Sequence, residues 1–320
     1  MKEAIREALD QEMARDESVM LLGEDIAFYG GCFQVTQGLF EKYGAKRVMD
    51  TPISEAGFVG ACVGAAITGL RPVAELMFMD FATVCMDPIV NQAAKSRYMS
   101  GGANKVPMVL RLPNGGGMSG AEHHSQSLET WFAHMPGLYV ACPSNPYDAK
   151  GLMIASIRND NPVMFCEHKL LYGTTGEVPE EAYEEPLGRA RIAREGRDAT
   201  VVATQMMVHK ALRVAEKLAE EGISVEVVDP RTISPLDMDA IVTSVKKTHR
   251  AVVAHEAYKF CGFGAEIAST IMSEAFDYLD APVIRVGAKF APIPYNWDLE
   301  KEIIPQDADI EKAVRESLYR

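Results

Sequence analysis

Hydrophobic and polar positions alternate between two periods along this chain. Ile5, Leu9 and Met13, with Ala4 and Ala8, recur at three- and four-residue spacing and predict an amphipathic first helix. Residues 19–23 form a short apolar run closed by glycine, which predicts a buried strand. The same alternation continues, with strands expected over 47–50, 72–76, 106–111, 139–143 and 162–167. Helices are expected over 38–43, 56–68, 88–98 and 147–158. Strands and helices that take turns in this way predict an α/β fold with a mostly parallel sheet covered on both faces.

Residues 174–187 change character, because Pro179, Pro186 and the acids Glu180, Glu181, Glu184 and Glu185 form an acidic connector. Beyond it the alternation resumes on a smaller scale. Strands are expected over 199–204, 223–229, 251–256 and 282–286, and helices over 208–220, 237–247 and 264–275. The expected organisation is a first domain over 1–173, a linker over 174–190 and a smaller α/β domain over 191–320.

Composition narrows the function classes. A length of 320 residues suits two domains, each able to bury its own core. A net charge of −13 without any basic cluster argues against nucleic acid as a partner. No apolar run approaches the ~20 residues that span a bilayer. The N-terminus reads as an acidic amphipathic helix start and not as a signal peptide. The six cysteines are scattered without a C-x-x-C pair, as free thiols of a reducing compartment would be. These features together predict a cytoplasmic globular protein with no membrane association.

The candidate chemistry centres on residues 50–58. Pro52 predicts a turn after a strand, and Glu55 then opens a helix in which Gly57, Gly60, Ala61, Gly64, Ala65 and Thr68 recur at helical spacing. Such a face admits another backbone or a flat ligand, and would make the surroundings of Glu55 dry. A carboxylate there is either a perturbed functional group or a plain helix-start acid favoured by the dipole. Glu24 and Asp25 follow the strand 19–23 at its carboxyl end, where open α/β sheets place chemistry, although a solvated loop would read the same way. Phe78 to Phe81 is either core or a stacking surface for a flat ring.

The loop 114–126 carries three consecutive glycines, then His123 and His124. Three glycines imply mobility or close approach. The pattern is neither G-x-G-x-x-G nor a Walker motif, so no phosphate cradle is read there. With no third His or Cys at ligand spacing, the histidines suit proton donation or a substrate-oxygen contact better than zinc. His255-Glu256 is the only candidate in the second half, and it reads more simply as a surface or interface polar pair.

Several long motifs resemble the β subunit of thiamine-diphosphate-dependent E1 components of 2-oxo acid dehydrogenase complexes. They are Leu22-Gly23-Glu24-Asp25, Asp50-Thr51-Pro52-Ile53-Ser54-Glu55, Asn91-x-x-Ala94-Lys95, Tyr98-Met99-Ser100-Gly101-Gly102 and His124-Ser125-Gln126. Further on come Pro143-Ser144, Asp148-Ala149-Lys150-Gly151-Leu152 and Pro292-x-Pro294-Tyr295, so the resemblance covers nearly the whole chain. It implies a transketolase-like pyrimidine-binding domain followed by a transketolase C-terminal domain. Glu55 falls on the family's activating glutamate, which hydrogen-bonds a ring nitrogen of the aminopyrimidine and favours its imino tautomer; the imino nitrogen then takes the thiazolium proton. Met77 and Phe81 match positions packed against that ring. His124 matches a channel histidine assisting acyl transfer to the lipoyl group, and Glu24 an acid that relays protons. Met108, Ser156, Ile157, Asn159 and Asn161 match a structural potassium site in some members. Asn159 departs from the aspartate of the pyruvate enzymes, which bears on charge compensation there.

The family's diphosphate-binding subunit carries a Gly-Asp-Gly motif, and none occurs in this chain. The resemblance therefore implies an α₂β₂ heterotetramer in which an α subunit supplies Mg²⁺ and diphosphate ligands, with an E2 lipoyl acyltransferase downstream. Ala82, Thr83 and the glycines 115–117 allow a short acyl group. Residues 165–172 are more similar to acetoin than to branched-chain dehydrogenases, and pyruvate and acetoin both stay open. The alternatives are a branched-chain E1 β subunit, the C-terminal subunit of a split transketolase, and a non-catalytic scaffold. The split transketolase would need cationic groups that are scarce around His124 and Ser144. A dinucleotide site is disfavoured because Gly57-x-x-Gly60-x-x-x-Gly64 lacks the Rossmann spacing.

Overall fold

A computed structural model describes residues 1–320, and the chain divides into two compact units: 1–114 with 131–187, and 115–130 with 188–320. In the first unit the strands are β1 (Val19–Gly23), β2 (Val48–Asp50), β3 (Arg71–Glu75), β4 (Val109–Asn114), β5 (Tyr139–Ala141) and β6 (Val163–His168). They lie in the order β5-β6-β4-β3-β1-β2, and every pairing among them is parallel. All residues of β1, β4 and β6 are buried, as strands covered on both faces by helices must be.

The helices of this part of the chain are α1 (Lys2–Arg15), α2 (Leu39–Tyr43), α3 (Glu55–Ile67), α4 (Ala94–Met99), α5 (Glu129–Ala133) and α6 (Pro146–Arg158). Helix α5 lies where the chain passes back from the second unit to the first. Helix α1 packs on α6 through Ile5, Ala8, Leu9 and Met13. Its buried Glu12 accepts from Arg158 Nη2 at 2.6 Å and pairs with Arg15 at 2.7 Å.

Two expected elements shift. The helix expected over 88–98 is a π-helical turn, Pro88–Ala93, followed by α4. The strand expected over 106–111 begins only at Val109, because the Val106 amide bonds Asp160 O and the Met108 amide bonds Val106 O. Those amides are spent locally and cannot join a ladder.

The second unit contains β7 (Arg191–Arg194), β8 (Ala199–Ala203), β9 (Val225–Asp229), β10 (Thr232–Ser234), β11 (Ala251–Tyr258) and β12 (Ile284–Ala288). Its 5-stranded sheet runs β12-β11-β8-β9-β7, parallel except for the antiparallel edge strand β7. Helices α7 (Met206–Ala219), α8 (Met238–Thr248), α9 (Gly264–Glu274), α10 (Trp297–Ile303) and α11 (Asp307–Ser317) accompany it. The amphipathic pattern of α11 places Ile310 and Val314 in one core with Leu218, Val227 and Val252. No helix is long and apolar enough to cross a membrane.

Charges occupy the middle of the first sheet. Arg111 of β4 is fully buried, and its Nε and Nη2 donate to Glu167 of β6 at 2.7 and 2.6 Å. Its Nη1 donates to Glu75 of β3, and the Tyr172 hydroxyl donates to Glu167 Oε2 at 2.6 Å. Removing one partner of a buried ion cluster leaves an uncompensated charge out of water. Arg111→Met should therefore lower unfolding free energy by about 3–5 kcal/mol in urea titration. Lys289→Ala, which breaks a surface pair with Glu302, should leave the midpoint unchanged. Equal effects of the two substitutions would contradict this view of the sheet.

Candidate active site

Strands β1 and β2 deliver the site residues from their carboxyl ends. Glu24 directly follows β1, and Glu55 is the first residue of α3, with Ser54 as N-cap. The Thr51 amide bonds Gly23 O at 2.9 Å, and Asp50 Oδ1 accepts from the Ala27 amide at 2.7 Å. These two bonds tie the segment before Glu55 to the segment that carries Glu24. Glu24 is buried; its carboxylate accepts from the Ser54 amide, while its Oε1 has no hydrogen-bond partner. Burial, and next the negative charge of Glu55, push the Glu24 carboxyl up to about 7; Asp25 adds to this and the Ser54 amide opposes it. Glu55 is itself 8% exposed.

The 3₁₀ turn Met79–Cys85 carries the remaining groups of this corner. The buried Cys85 thiol is pushed up to about 12, chiefly by burial and then by Glu55 and Glu24, so it lies within the field of both carboxylates. Met77 and Phe81 are half-buried and follow β3. The Phe81 ring meets Phe78 edge-on at 5.7 Å, Phe78 meets Phe33 at 5.8 Å, and Phe33 stacks on Tyr172 at 4.9 Å. The aromatic segment is thus a partly open shelf and not closed core. Glu24, Glu55, Met77 and Phe81 belong to one unit and converge on the carboxyl ends of its strands.

The small-residue face of α3 corrects an expectation. Phe58, Val59, Cys62, Val63 and Ala66 are the buried residues of this helix besides Glu55, whereas Gly57, Ala61, Gly64 and Thr68 are exposed. The larger apolar side chains recur at the same spacing and gain more by burial, so they take the core and turn the small residues outward. The dryness around Glu55 comes from its position at the strand ends, and the small face is open.

Sequence reasoning missed Glu75, Arg111 and Glu167, an ion cluster beside this corner, with Glu75 in register with Gly23 just before Glu24. A Cβ on Gly31 would collide with Glu75 Oε1, and Gly31 has φ +80°, so this loop lies close upon the cluster. Charged residues within otherwise apolar strand runs were the available signal. At the far edge, Arg71 Nη1 donates to the carbonyls of Ile157 and Asn159 at 2.9 and 3.1 Å, and Arg71 Nη2 to Asp160 at 2.7 Å. The Met108 carbonyl accepts from the Val163 amide at 2.9 Å, and Asn161 Oδ1 accepts from Arg97 Nη1 at 2.6 Å.

The second unit holds the loop with His124. His124 is exposed, whereas Ser125 beside it is buried. Gly115 and Gly117 have φ of +86° and +87°, which explains glycine at both places. His255 is neither surface nor interface but fully buried, with its ring 4.7 Å from Phe263 and Nδ1 3.0 Å from Ala257 O. Burial pushes it down to about 4, so it is neutral at pH 7. Glu129 is buried as well, and burial, with a smaller contribution from Glu256, pushes its carboxyl up to about 7. No group of three or more His, Cys, Asp or Glu side chains is arranged to hold a metal ion.

Residues 1–175 match the transketolase pyrimidine-binding domain, and residues 188–310 the transketolase C-terminal domain. Full-length relatives are similar. The β subunit of acetoin:2,6-dichlorophenolindophenol oxidoreductase of Cupriavidus necator is 49% identical over 328 residues, covering 99% of this chain and 97% of that protein. The pyruvate dehydrogenase E1 component β subunit of Rickettsia felis is 49% identical over 319 residues, covering 100% and 98%. Among solved structures, a split-gene transketolase described as an inactive β4 tetramer superposes with a TM-score of 0.81 over 99% of this chain and 97% of its own. At 23% identity it speaks for the fold alone.

The raised carboxyls predict a pH dependence. Unfolded Glu24 and Glu129 release their protons near 4.5 and the folded groups near 7, so between those values the folded state holds more protons. Their stabilising contribution is full below about pH 4.5 and lost as pH rises through about 7. In urea titrations, wild type should lose stability relative to Glu24→Gln and Glu129→Gln across that window. A flat or rising difference would show that neither carboxyl is perturbed in the fold.

Proposed function

Because the chain belongs to the family of thiamine-diphosphate-dependent E1 β subunits found in pyruvate and acetoin dehydrogenases, we propose that it supplies the pyrimidine half of a cofactor site shared with an α subunit. The observation that carries the reading is the desolvated Glu24–Glu55 pair, lying beside the half-open apolar shelf of Met77 and Phe81. An acceptor without a partner, Glu24 Oε1, and a partly exposed apolar lining fit a flat heterocycle bearing ring nitrogens.

In this reading Glu55 holds a hydrogen bond to a ring nitrogen of the aminopyrimidine, and its buried place at the start of α3 excludes competing water. Glu24, titrating near neutrality, can keep a proton in reserve and pass it on within the site. Met77 and Phe81 orient the ring by apolar contact. When bound, thiamine diphosphate supplies the nucleophilic carbon and electron sink for cleavage beside the substrate carbonyl. The substrate is pyruvate or acetoin, and the acyl group passes to the lipoyl disulfide of an E2 acyltransferase, with His124 serving that transfer.

The chain has no Gly-Asp-Gly, so Mg²⁺ and the diphosphate are assigned to the α subunit of an α₂β₂ heterotetramer. The exposed small-residue face of α3, together with Ile53 and Val84 at 81% and 59% exposure, is the kind of surface such a partner would cover. The corner of Met108, Ser156, Ile157, Asn159 and Asn161 is poorly suited to potassium while Arg71 occupies its carbonyls. The Arg71 guanidinium is already a resident cation on the Ile157 and Asn159 carbonyls, and a second cation there would be repelled. Residues 1–173 act as the pyrimidine-binding domain, 174–190 as connector and 191–320 as the C-terminal domain, in a cytoplasmic enzyme.

Glu55→Gln in the reconstituted heterotetramer should lower kcat for substrate-dependent dye reduction by about 10²–10⁴-fold. Assembly with the α subunit should persist in gel filtration. Normal turnover would overturn the proposed role of Glu55.

A further inference from the structure

The loop 115–130 presents a physical puzzle. Consecutive glycines at 115–117 give the backbone large freedom, and a His held on such a loop would be placed loosely. Yet the amides of this loop are captured by two carboxylates from the same unit, one buried and one half-buried. Glu300 of α10 is 1% exposed; its Oε1 accepts from the Gly117 amide at 2.7 Å and its Oε2 from the Ser119 amide at 3.0 Å. Glu256 of β11 accepts from the Gly116 amide at 2.6 Å. The Ser119 hydroxyl donates to the carbonyl of Tyr295, just before α10. A Cβ on Gly116 would collide with Ile304 Cδ1 and crowd Glu300 Oε1, so the glycine permits the close approach that the hydrogen bonds require.

Helix α10 is itself well placed to act as an anchor. Asn296 caps it by accepting from the Asp298 and Leu299 amides at 3.0 and 3.2 Å, and the Lys289 amide donates to Ile303 O at 3.0 Å. On the far side of His124, Ser125 is buried, and the Gln126 carbonyl accepts from the Gly115 amide at 3.4 Å. His124 therefore lies between Ser119, held by Glu300 and the Tyr295 carbonyl, and the buried Ser125. Hydrogen bonds from amides to a carboxylate are stronger than those between neutral groups, and more so away from water.

We infer that Glu300 and Glu256 are positioning residues: by accepting the backbone amides of Gly116, Gly117 and Ser119, they hold the glycine loop and with it His124. Neither carboxylate needs to touch substrate. Their role is to convert a flexible segment into a fixed mount, so that a histidine serving acyl transfer is presented at one geometry. This inference rests on the proposed role of His124, and its structural part can be tested separately.

The test uses the reconstituted heterotetramer carrying Glu300→Gln or, as an independent variant, Glu256→Gln. An amide side chain keeps one acceptor oxygen but turns NH₂ donors towards the loop's own N–H groups. Hydrogen exchange in peptides covering 115–120 should accelerate by about tenfold or more, with the rest of the unit unchanged. Acyl transfer to a lipoyl domain should fall, while dye reduction, which bypasses the lipoyl group, should stay within about twofold. Glu300→Asp, which retains the charge, should recover part of the transfer rate. Unchanged exchange at 115–120 in both variants would overturn the inference, as would acceleration spread evenly over the whole unit. His124→Ala with normal acyl transfer would instead remove the proposed role of His124 and leave the carboxylate clamp standing.

Discussion

A guanidinium and two carboxylates are buried together across β3, β4 and β6. Arg111 satisfies both Glu75 and Glu167, and Tyr172 donates to Glu167 as well. Each of these charges is tolerable only because the others are present, so the strand ends cannot drift apart without exposing an unpaired ion to an apolar interior. The register Glu75↔Arg111 follows from this constraint. The loop through Gly31 packs directly upon the Glu75 carboxylate, so the strands beside the site are held by ions and not by apolar packing alone.

Beside that cluster the physical situation is reversed. Glu24 and Glu55 are two acids brought together without a cation among the causes acting on Glu24, and the consequence is a proton retained near neutrality. Paired ions brace the sheet, and on the proposed reading the acid that lacks a cation serves the chemistry of the corner. The open apolar residues around it, among them Ile53, Val84 and the outward small face of α3, mark a surface that one subunit alone leaves uncovered. A half-site of this kind accords with the family of two-subunit enzymes to which the chain belongs.

Much of this was legible in the residue pattern, for reasons that differ by element. Strand β1 lies where the apolar run 19–23 places it, because glycine closes the run and all its residues are buried. Glu55 was legible from its place after a strand and at a helix start. The face of α3 was not, because two sets of residues share one period and only their size decides which set is buried. The Arg111 cluster left only a faint local trace, charges inside apolar strand runs, and its pairing was hidden because the partners lie 36 and 56 residues away. The same holds for Glu300, 183 residues from the glycine amide that it receives. Beyond residue 286, α10 offers only its Asn296 cap and buries no apolar side chain, whereas α11 has a capping box at Gln306 and an apolar face that the pattern does carry.

On the proposed reading, this chain holds half of a cofactor site. Thiamine diphosphate titration by calorimetry, with Mg²⁺ present, compares the isolated chain with the complex formed with its α subunit. Saturable tight binding is expected only in the complex, and the isolated chain should give no more than weak heats. Binding of equal affinity by the isolated chain would contradict the claim, because the diphosphate ligands would then have to lie within these 320 residues.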